Sequence, residues 1–244
     1  MAGLFRYSGN KSRLLKHYRT PPPGTKRVVE TYLGSGAFLL AQTHPGLGYD
    51  TNGDLVAMWH WLQKCTRQDL LDLNSDVEKL KLTESKPDVR KLGLALGPQT
   101  YVRINTTGVL VGQLTAWRIY PQNKLPVDNT SKYLEKIRDV EVIHGDASLY
   151  QHWNGDLLFV DPPYVGTTGG YVEKGKGSLE ARYKPQDTVN LIDQTTNPVI
   201  LTYGDGAQDI FPSYDWQLVA TRKVPNVRRG GTVDRSEYVA YVNW

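Results

Sequence analysis

Asp161-Pro162-Pro163-Tyr164 follows directly on the apolar run Leu157-Leu158-Phe159-Val160. In an open α/β sheet, ligands collect at the carboxyl ends of strands. A buried strand therefore delivers the Asp161 carboxylate to the place where chemistry is expected. Two prolines fix the backbone and remove two N–H donors, which leaves carbonyls as acceptors. A carboxylate oxygen beside a fixed carbonyl, Asp161 with Pro162, matches an amino group with two hydrogens to donate. The Tyr164 ring can stack on a planar heterocycle. The same four residues also read as a rigid Pro-Pro loop with a surface tyrosine.

A second constellation begins at Val28-Val29-Glu30-Thr31-Tyr32-Leu33-Gly34-Ser35-Gly36-Ala37-Phe38, a strand, a G-x-G turn and a helix start. Gly34 and Gly36 let the backbone approach a ligand closely, although the third glycine of the dinucleotide fingerprint is missing. The next strand ends at Tyr49-Asp50. An acid at that position suits the hydroxyls of a ribose, so the two features together point to a nucleoside-containing cofactor. Taken without a ligand, the glycines read equally as a helix start. In Phe5-Arg6-Tyr7-Ser8-Gly9-Asn10-Lys11, an aromatic and a lysine could cover a cofactor and neutralise its carboxylate, or form a solvated arm. Asp146, after Val142-Ile143-His144-Gly145, is either a cofactor contact or a helix N-cap.

The elements that must position these groups are legible as apolar runs with helical stretches between them. Strands are expected over Val28–Glu30, Gly48–Asp50, Val140–His144, Leu157–Asp161, Val199–Tyr203, Trp216–Ala220 and Tyr238–Val242. Several are apolar throughout, the pattern of strands covered on both faces. Helices are expected over Ala37–Gln42, Leu55–Lys64, Gln68–Leu82 and Pro185–Gln194. Alternating strand and helix predicts an open α/β sheet. A hairpin across Thr221–Glu237 makes the last strand antiparallel. The stretch from about Trp59 to Arg138 has few strand signals and reads as a mainly helical insertion. The expected division is thus 1–58 with 139–244, and 59–138 inserted.

Composition narrows the class. The chain has 244 residues, 39% hydrophobic and 22% charged, which fits a packed globular core rather than disorder. No run reaches the ~18 apolar residues of a bilayer span. Residues Met1 to Lys11 lack the apolar stretch of a secretory leader. Cys65 is the single cysteine, so no intramolecular disulfide and no metal site is expected, and a cytosolic protein fits. A net charge of +4 permits a nucleic-acid partner without demanding one.

The order of these motifs, from the Tyr7-to-Lys11 segment through G-x-G, Asp50, the inserted region and Gly145-Asp146 to Asp161-Pro-Pro-Tyr164, resembles the Dam-type DNA adenine methyltransferases. The resemblance covers roughly residues 4 to 58 and 139 to 244. It implies a methyltransferase-type Rossmann-like sheet of about seven strands with an antiparallel final strand, and a target-recognition subdomain over 59–138. It also implies methylation of the exocyclic amine of adenine in duplex DNA, by base flipping, with S-adenosylmethionine as cofactor. By the same resemblance Tyr7 and Lys11 contact the cofactor. Glu30, Gly34 and Gly36 line its methionine part, Asp50 holds its ribose, and Asp146 lies near its adenine. Asp161 reaches both cofactor and target amine, with Pro162 and Tyr164 as its catalytic partners. Tyr7, Asn10 and Thr31 stand where the family usually has Trp, often has Gly, and usually has Pro.

Duplex DNA is then the expected partner, met by a monomer in the cytoplasm of a bacterial or phage-infected cell. Arg, Asn and Gln read base edges, which makes Arg103, Asn105, Arg118 and Lys124 of the insertion the contact candidates. Arg228 and Arg229 in the final hairpin are candidates for phosphates. Arg103 and Gly108 match the family's recognition segments loosely. The alternatives that the residues leave open are a cytosine-amino or RNA adenine methyltransferase, and a DNA-binding protein without turnover.

Overall fold

The computed structural model describes residues 4–5, 11–107, 117–164, 172–173, 177–178, 183–225 and 232–244. Of the sites expected above, Tyr7, Gly108, Arg228 and Arg229 lie outside the described residues, as does most of the glycine-rich stretch from 165 to 177.

Seven strands form one sheet. They are β1 (Arg27–Glu30), β2 (Gly46–Asp50), β3 (Val140–His144), β4 (Asp156–Val160), β7 (Val199–Tyr203), β8 (Gln217–Pro225) and β9 (Thr232–Val242). The spatial order is β3-β2-β1-β4-β7-β9-β8. β1 pairs in parallel with β2 and β4, β2 with β3, and β4 with β7. β9 runs antiparallel between β7 and β8. This is a Rossmann-like sheet of the methyltransferase type, as the motif order implied. Two short segments, β5 (Val172–Glu173) and β6 (Gly177–Ser178), pair as a separate ribbon.

The chain winds outward from β1 to β2 and β3, then returns to place β4 on the other side of β1. That reversal puts the carboxyl ends of β1 and β4 side by side at the crevice where α/β sheets bind ligands. Period-two alternation divides the side chains between two layers. Val28, Leu157, Phe159 and Ile200 point into one core with helices α1 (Ala37–Ala41), α2 (Gly53–Lys64), α3 (Arg67–Thr83) and α4 (Leu96–Thr106). Val29, Leu158, Val160, Val199 and Leu201 point into the other, against Leu191 and Ile192 of α7 (Pro185–Asp193).

Helix ends follow local capping. α2 begins two residues before the expected Leu55 because Asn52 accepts from the backbone N–H groups of Asp54 and Leu55. Thr66 and Asp69 form a capping box at the start of α3. β8 outruns its apolar stretch for another reason. Thr221, Arg222 and Lys223 pair with Ser236, Arg235 and Asp234, and an edge ladder needs backbone groups rather than apolar side chains.

The expected boundary between 58 and 59 falls inside α2. Leu70, Val77, Tyr101 and Ile104 of the inserted region, with Leu134 and Ile137 of α6 (Leu134–Arg138), share one core with the sheet residues Val28, Leu157 and Phe159.

At the opposite end of the sheet Arg27 donates from Nε and Nη2 to the two carboxylate oxygens of Asp156, at 3.0 and 2.7 Å, and the Tyr150 hydroxyl donates to the same carboxylate at 2.7 Å. Asp156 is buried, so removing it leaves a half-buried guanidinium without its fork partner. Asp156→Ala is expected to lower stability by about 3 kcal/mol, read from chemical denaturation. A change under about 0.5 kcal/mol, the level of an ordinary surface substitution, would contradict this role.

Candidate active site

The turn after β1 shapes the site. Gly34 and Gly36 adopt φ of 47° and 60°, left-handed conformations that favour glycine. Gly36 also has no room for a side chain: a Cβ there would lie 2.7 Å from the Trp59 ring. Trp59 is fully buried on α2 and donates its indole N–H to the Gly34 carbonyl at 3.1 Å. The indole is therefore the floor on which the turn rests.

Above that floor is a cavity of about 240 Å³, somewhat below the roughly 300 Å³ at which small-molecule clefts begin. Lys11, Glu30, Gly34, Asp50, Asp146 and Asp161 all line it. Gly36 lies behind it against Trp59. Phe38 and Phe159, stacked at 4.4 Å, form an apolar part of the wall.

The acids differ in environment. Glu30 is buried and accepts from the Leu39 N–H at 2.7 Å, inside the first turn of α1. Burial pushes its carboxyl up to about 8, although the backbone donors oppose the rise. Asp50 accepts from the N–H groups of Asn52 at 2.8 Å and Gly34 at 3.0 Å. Burial raises it too, against those same donors. Asp146 accepts from the Ser148 N–H at 2.9 Å and caps the short helix Ala147–Leu149.

Glu30 gives a stability test. From its ordinary value of 4.5 up to about 8, the folded chain holds a proton that the unfolded chain has lost. Stability therefore falls as pH rises through that window. Glu30→Gln is expected to flatten this part of the slope when melting temperature is followed against pH. An unchanged slope would contradict the assignment.

Asp161 sits at the centre of a polar cluster. Lys11 Nζ lies 2.9 Å from its Oδ2. The Thr202 hydroxyl donates to its Oδ1 at 2.8 Å, and the Tyr164 hydroxyl lies 3.2 Å from that oxygen. Lys11 also donates to the Tyr164 oxygen at 2.7 Å. The Tyr164 ring packs on Tyr203 at 4.6 Å between centroids, over Gly204, where a Cβ would come within 2.7 Å of it. Burial, with Asp161 and Glu237 nearby, holds its phenol well above the ordinary range. Tyr164 is thus built in as a hydrogen-bond bridge, a role that the motif alone does not disclose. Pro162 is buried and Pro163 lines the cavity.

Thr31 also lines the cavity. It is 1% exposed, and its hydroxyl has no hydrogen-bond partner among the described residues. A buried orphan hydroxyl costs about 1–3 kcal/mol unless a bound molecule satisfies it. Its backbone N–H donates to the Phe159 carbonyl at 3.2 Å, a bond that a proline could not make.

Some residues of the site escaped the sequence reading. Tyr183 and Asp187 reach the cavity from around α7, with the Tyr183 hydroxyl bonded to Thr188 at 2.7 Å. Thr202 and Glu237 reach Asp161's cluster from β7 and β9. A polar residue inside an apolar strand was the available signal for Thr202, and an acid just before one for Glu237.

The insertion requires a correction. Arg103 and Asn105 were expected on a DNA-facing surface, but α4 turns both inward. The Arg103 guanidinium lies 4.0 Å from the Trp117 ring centroid, and the Asn105 amide donates to the Tyr101 carbonyl at 2.8 Å. Their neighbours on α4, Tyr101, Val102 and Ile104, are buried as well, so the helix is enclosed from Thr100 to Thr106. Arg118 and Lys124 are exposed.

Among the described residues no helix is long and apolar enough to cross a membrane. Nor does any group of three or more His, Cys, Asp and Glu side chains there suit a metal ion.

No protein-family model matches the chain. The retron Ec67 DNA adenine methylase of Escherichia coli is 22% identical over 263 residues, spanning 98% of this chain and 91% of that protein. Two solved structures overlay loosely. One is a Clostridium thermocellum protein provisionally assigned as an rRNA methylase, with a TM-score of 0.38 and 10% identity over 96% of both chains. The other is an rRNA methylase of Streptococcus thermophilus, with a TM-score of 0.33 and 9% identity over 95% of this chain and 94% of that one.

Proposed function

We propose that this chain is an S-adenosylmethionine-dependent methyltransferase acting on the exocyclic amine of adenine in duplex DNA. One observation carries the reading. Asp161, suited to gripping an amine, opens into the same cavity as Glu30 and Asp50, suited to a nucleoside-containing amino acid. The similarity to a DNA adenine methylase of Escherichia coli supports it.

The cavity fits the cofactor's chemistry. It offers acids for ammonium and ribose hydroxyls, an apolar wall for a ring, and the orphan hydroxyl of Thr31 for a further polar atom. Glu30, with the Gly34–Gly36 turn, would hold the amino-acid end, Asp50 the ribose, and Asp146 the region near the adenine. The N-terminal segment, with Tyr7 and Lys11, would complete the site. When bound, the cofactor supplies a methyl group on a cationic sulfur, with no covalent enzyme intermediate required.

The chain's own part is orientation. An aromatic amine is a poor nucleophile because its lone pair is delocalised into the ring. Asp161 and the Pro162 carbonyl, by accepting its two hydrogens, draw the nitrogen toward sp³ geometry and localise that pair. Holding the nitrogen in line with the methyl carbon is the principal source of rate. The target base must leave the duplex, at a few kcal/mol, and stacking on the Tyr164 ring offsets about 1–3 kcal/mol of that. Residues 59–138 form the target-recognition part, with Arg118 and Lys124 presented to DNA, and Arg228 and Arg229 bind phosphates.

The test is incubation with methyl-labelled S-adenosylmethionine and, separately, unmodified duplex DNA and structured RNA. Label on DNA is expected. Label on RNA alone moves the substrate to RNA, and tight DNA binding with no label on either makes the chain a binding protein.

A further inference from the structure

The acid cluster does not end at Asp161. Glu237, on β9, is 7% exposed and accepts from the Tyr164 hydroxyl through Oε2 at 2.8 Å. Tyr164 therefore stands between two carboxylates, 3.2 Å from Asp161 Oδ1 and 2.8 Å from Glu237 Oε2. The other oxygen of Glu237, Oε1, lies 3.5 Å from the Arg222 guanidinium, whose side chain is 59% exposed. The hairpin register explains this pairing. Glu237 lies opposite Ala220, and Arg222, two residues farther along β8, projects from the same face. A continuous polar path thus runs from the reacting acid to an arginine at the surface.

We infer that Glu237 receives the proton released by amine methylation, relayed through the Tyr164 hydroxyl. The inference rests on the methyltransferase reading above. As the nitrogen's lone pair forms the N–C bond, the methyl–sulfur bond breaks with its electrons going to sulfur. The nitrogen is left cationic, with one proton to lose. Asp161 takes that proton. The protonated Asp161 then donates to the Tyr164 oxygen as the Tyr164 O–H proton passes to Glu237. Asp161 and Tyr164 are restored, and the net change is one proton moved from the base to Glu237, which gives it to solvent beside Arg222. Two cationic groups face Glu237, Lys11 at 3.7 Å and Arg222. The other titratable groups around it are the Tyr164 and Tyr18 phenols and Asp161. Lys11 also touches Asp161 and Tyr164, so it holds the three acidic groups together. Glu237 acts through Tyr164 and does not touch the reacting atoms, so a wild-type first turnover with slow later ones is its signature.

The experiment uses the full chain, methyl-labelled S-adenosylmethionine and unmethylated duplex DNA, and compares Glu237→Gln and Glu237→Asp with the parent. Glu237→Gln is expected to keep cofactor affinity and the single-turnover rate within about twofold. Its steady-state rate falls about tenfold, less than the roughly 10²–10⁴-fold of a group that transfers a proton at the reacting atoms, because Glu237 stands one hydrogen bond behind Asp161's partner Tyr164. Glu237→Asp recovers most of the steady-state rate, and added formate speeds the Gln variant but not the parent. Adding Glu237→Gln to Tyr164→Phe gives little further loss in steady state, because both interrupt one path. If Glu237→Gln prevents folding, Glu237→Ala with and without added formate carries the same comparison, with the steady-state rate low without formate and raised by it. Steady-state rates unchanged by Glu237→Gln, or single-turnover and steady-state rates falling equally, would overturn the relay while leaving methyl transfer in place. A parent chain that labels no nucleic acid overturns both.

Discussion

Asp161→Ala is expected to lower methyl transfer to DNA by about 10³-fold, within the range for loss of a group acting directly on a reacting proton. The substitution removes the acceptor for the amine's hydrogens and nothing else of comparable weight. Lys11, buried beside it, keeps Glu237 at 3.7 Å and the Tyr164 oxygen at 2.7 Å. Its charge is therefore not stranded, and the protein is expected to stay folded. Thr202 loses an acceptor at a cost of about 1 kcal/mol. Asp161→Asn is the sharper comparison, since it keeps the shape but offers one amide donor where an acceptor is needed. Cofactor affinity by calorimetry, run beside the activity assay, separates lost chemistry from lost binding. A variant with more than about a tenth of parental activity and intact cofactor affinity would contradict the proposed grip.

Trp59→Ala has the largest expected effect on the fold. The indole is fully buried, supports the Gly34 carbonyl and fills the space beneath Gly36. Its loss costs about 3–5 kcal/mol through transfer and cavity terms. For a domain of this size that lowers the melting temperature by about 6–20 °C. Cofactor affinity is expected to fall with it, because the turn beside the cavity loses its support. Gly36→Ala is destabilising for the complementary reasons of a left-handed φ of 60° and a 2.7 Å contact with the same ring. In the double variant the contact half of that cost disappears, so the two losses sum to more than the double variant shows. Strict additivity in thermal melts would mean that the ring does not support the turn.

The frame of the molecule was legible where burial alone decides it. Val199–Tyr203 appears with the expected bounds and is buried throughout, because strands covered by helices must be continuously apolar; Val140–His144 also has the expected bounds, although as the edge strand it is only half buried. The G-x-G turn was legible because backbone geometry admits few residues there. The polar cluster around Asp161 was only half legible. Glu237 and Thr202 lie far from Asp161 in sequence, and only the sheet order β4-β7-β9 sets them beside it. Tyr164 was read as a ring, and the contacts of its hydroxyl with Lys11, Asp161 and Glu237 were not legible, since a motif gives the residue type and not its neighbours. Arg103 and Asn105 misled for a physical reason as well. Polar side chains in an uncertain region read as exposed, yet Trp117 and the Tyr101 carbonyl give these two partners in the interior.

The proposed chemistry is tested most directly by finding which atom is methylated. DNA incubated with labelled S-adenosylmethionine is digested to nucleosides and separated by chromatography. A grip formed by Asp161 and the Pro162 carbonyl requires the label on an exocyclic nitrogen, and the proposed function places it on that of adenine. Label on a ring carbon, or none on DNA or RNA when the cofactor is bound, would contradict it.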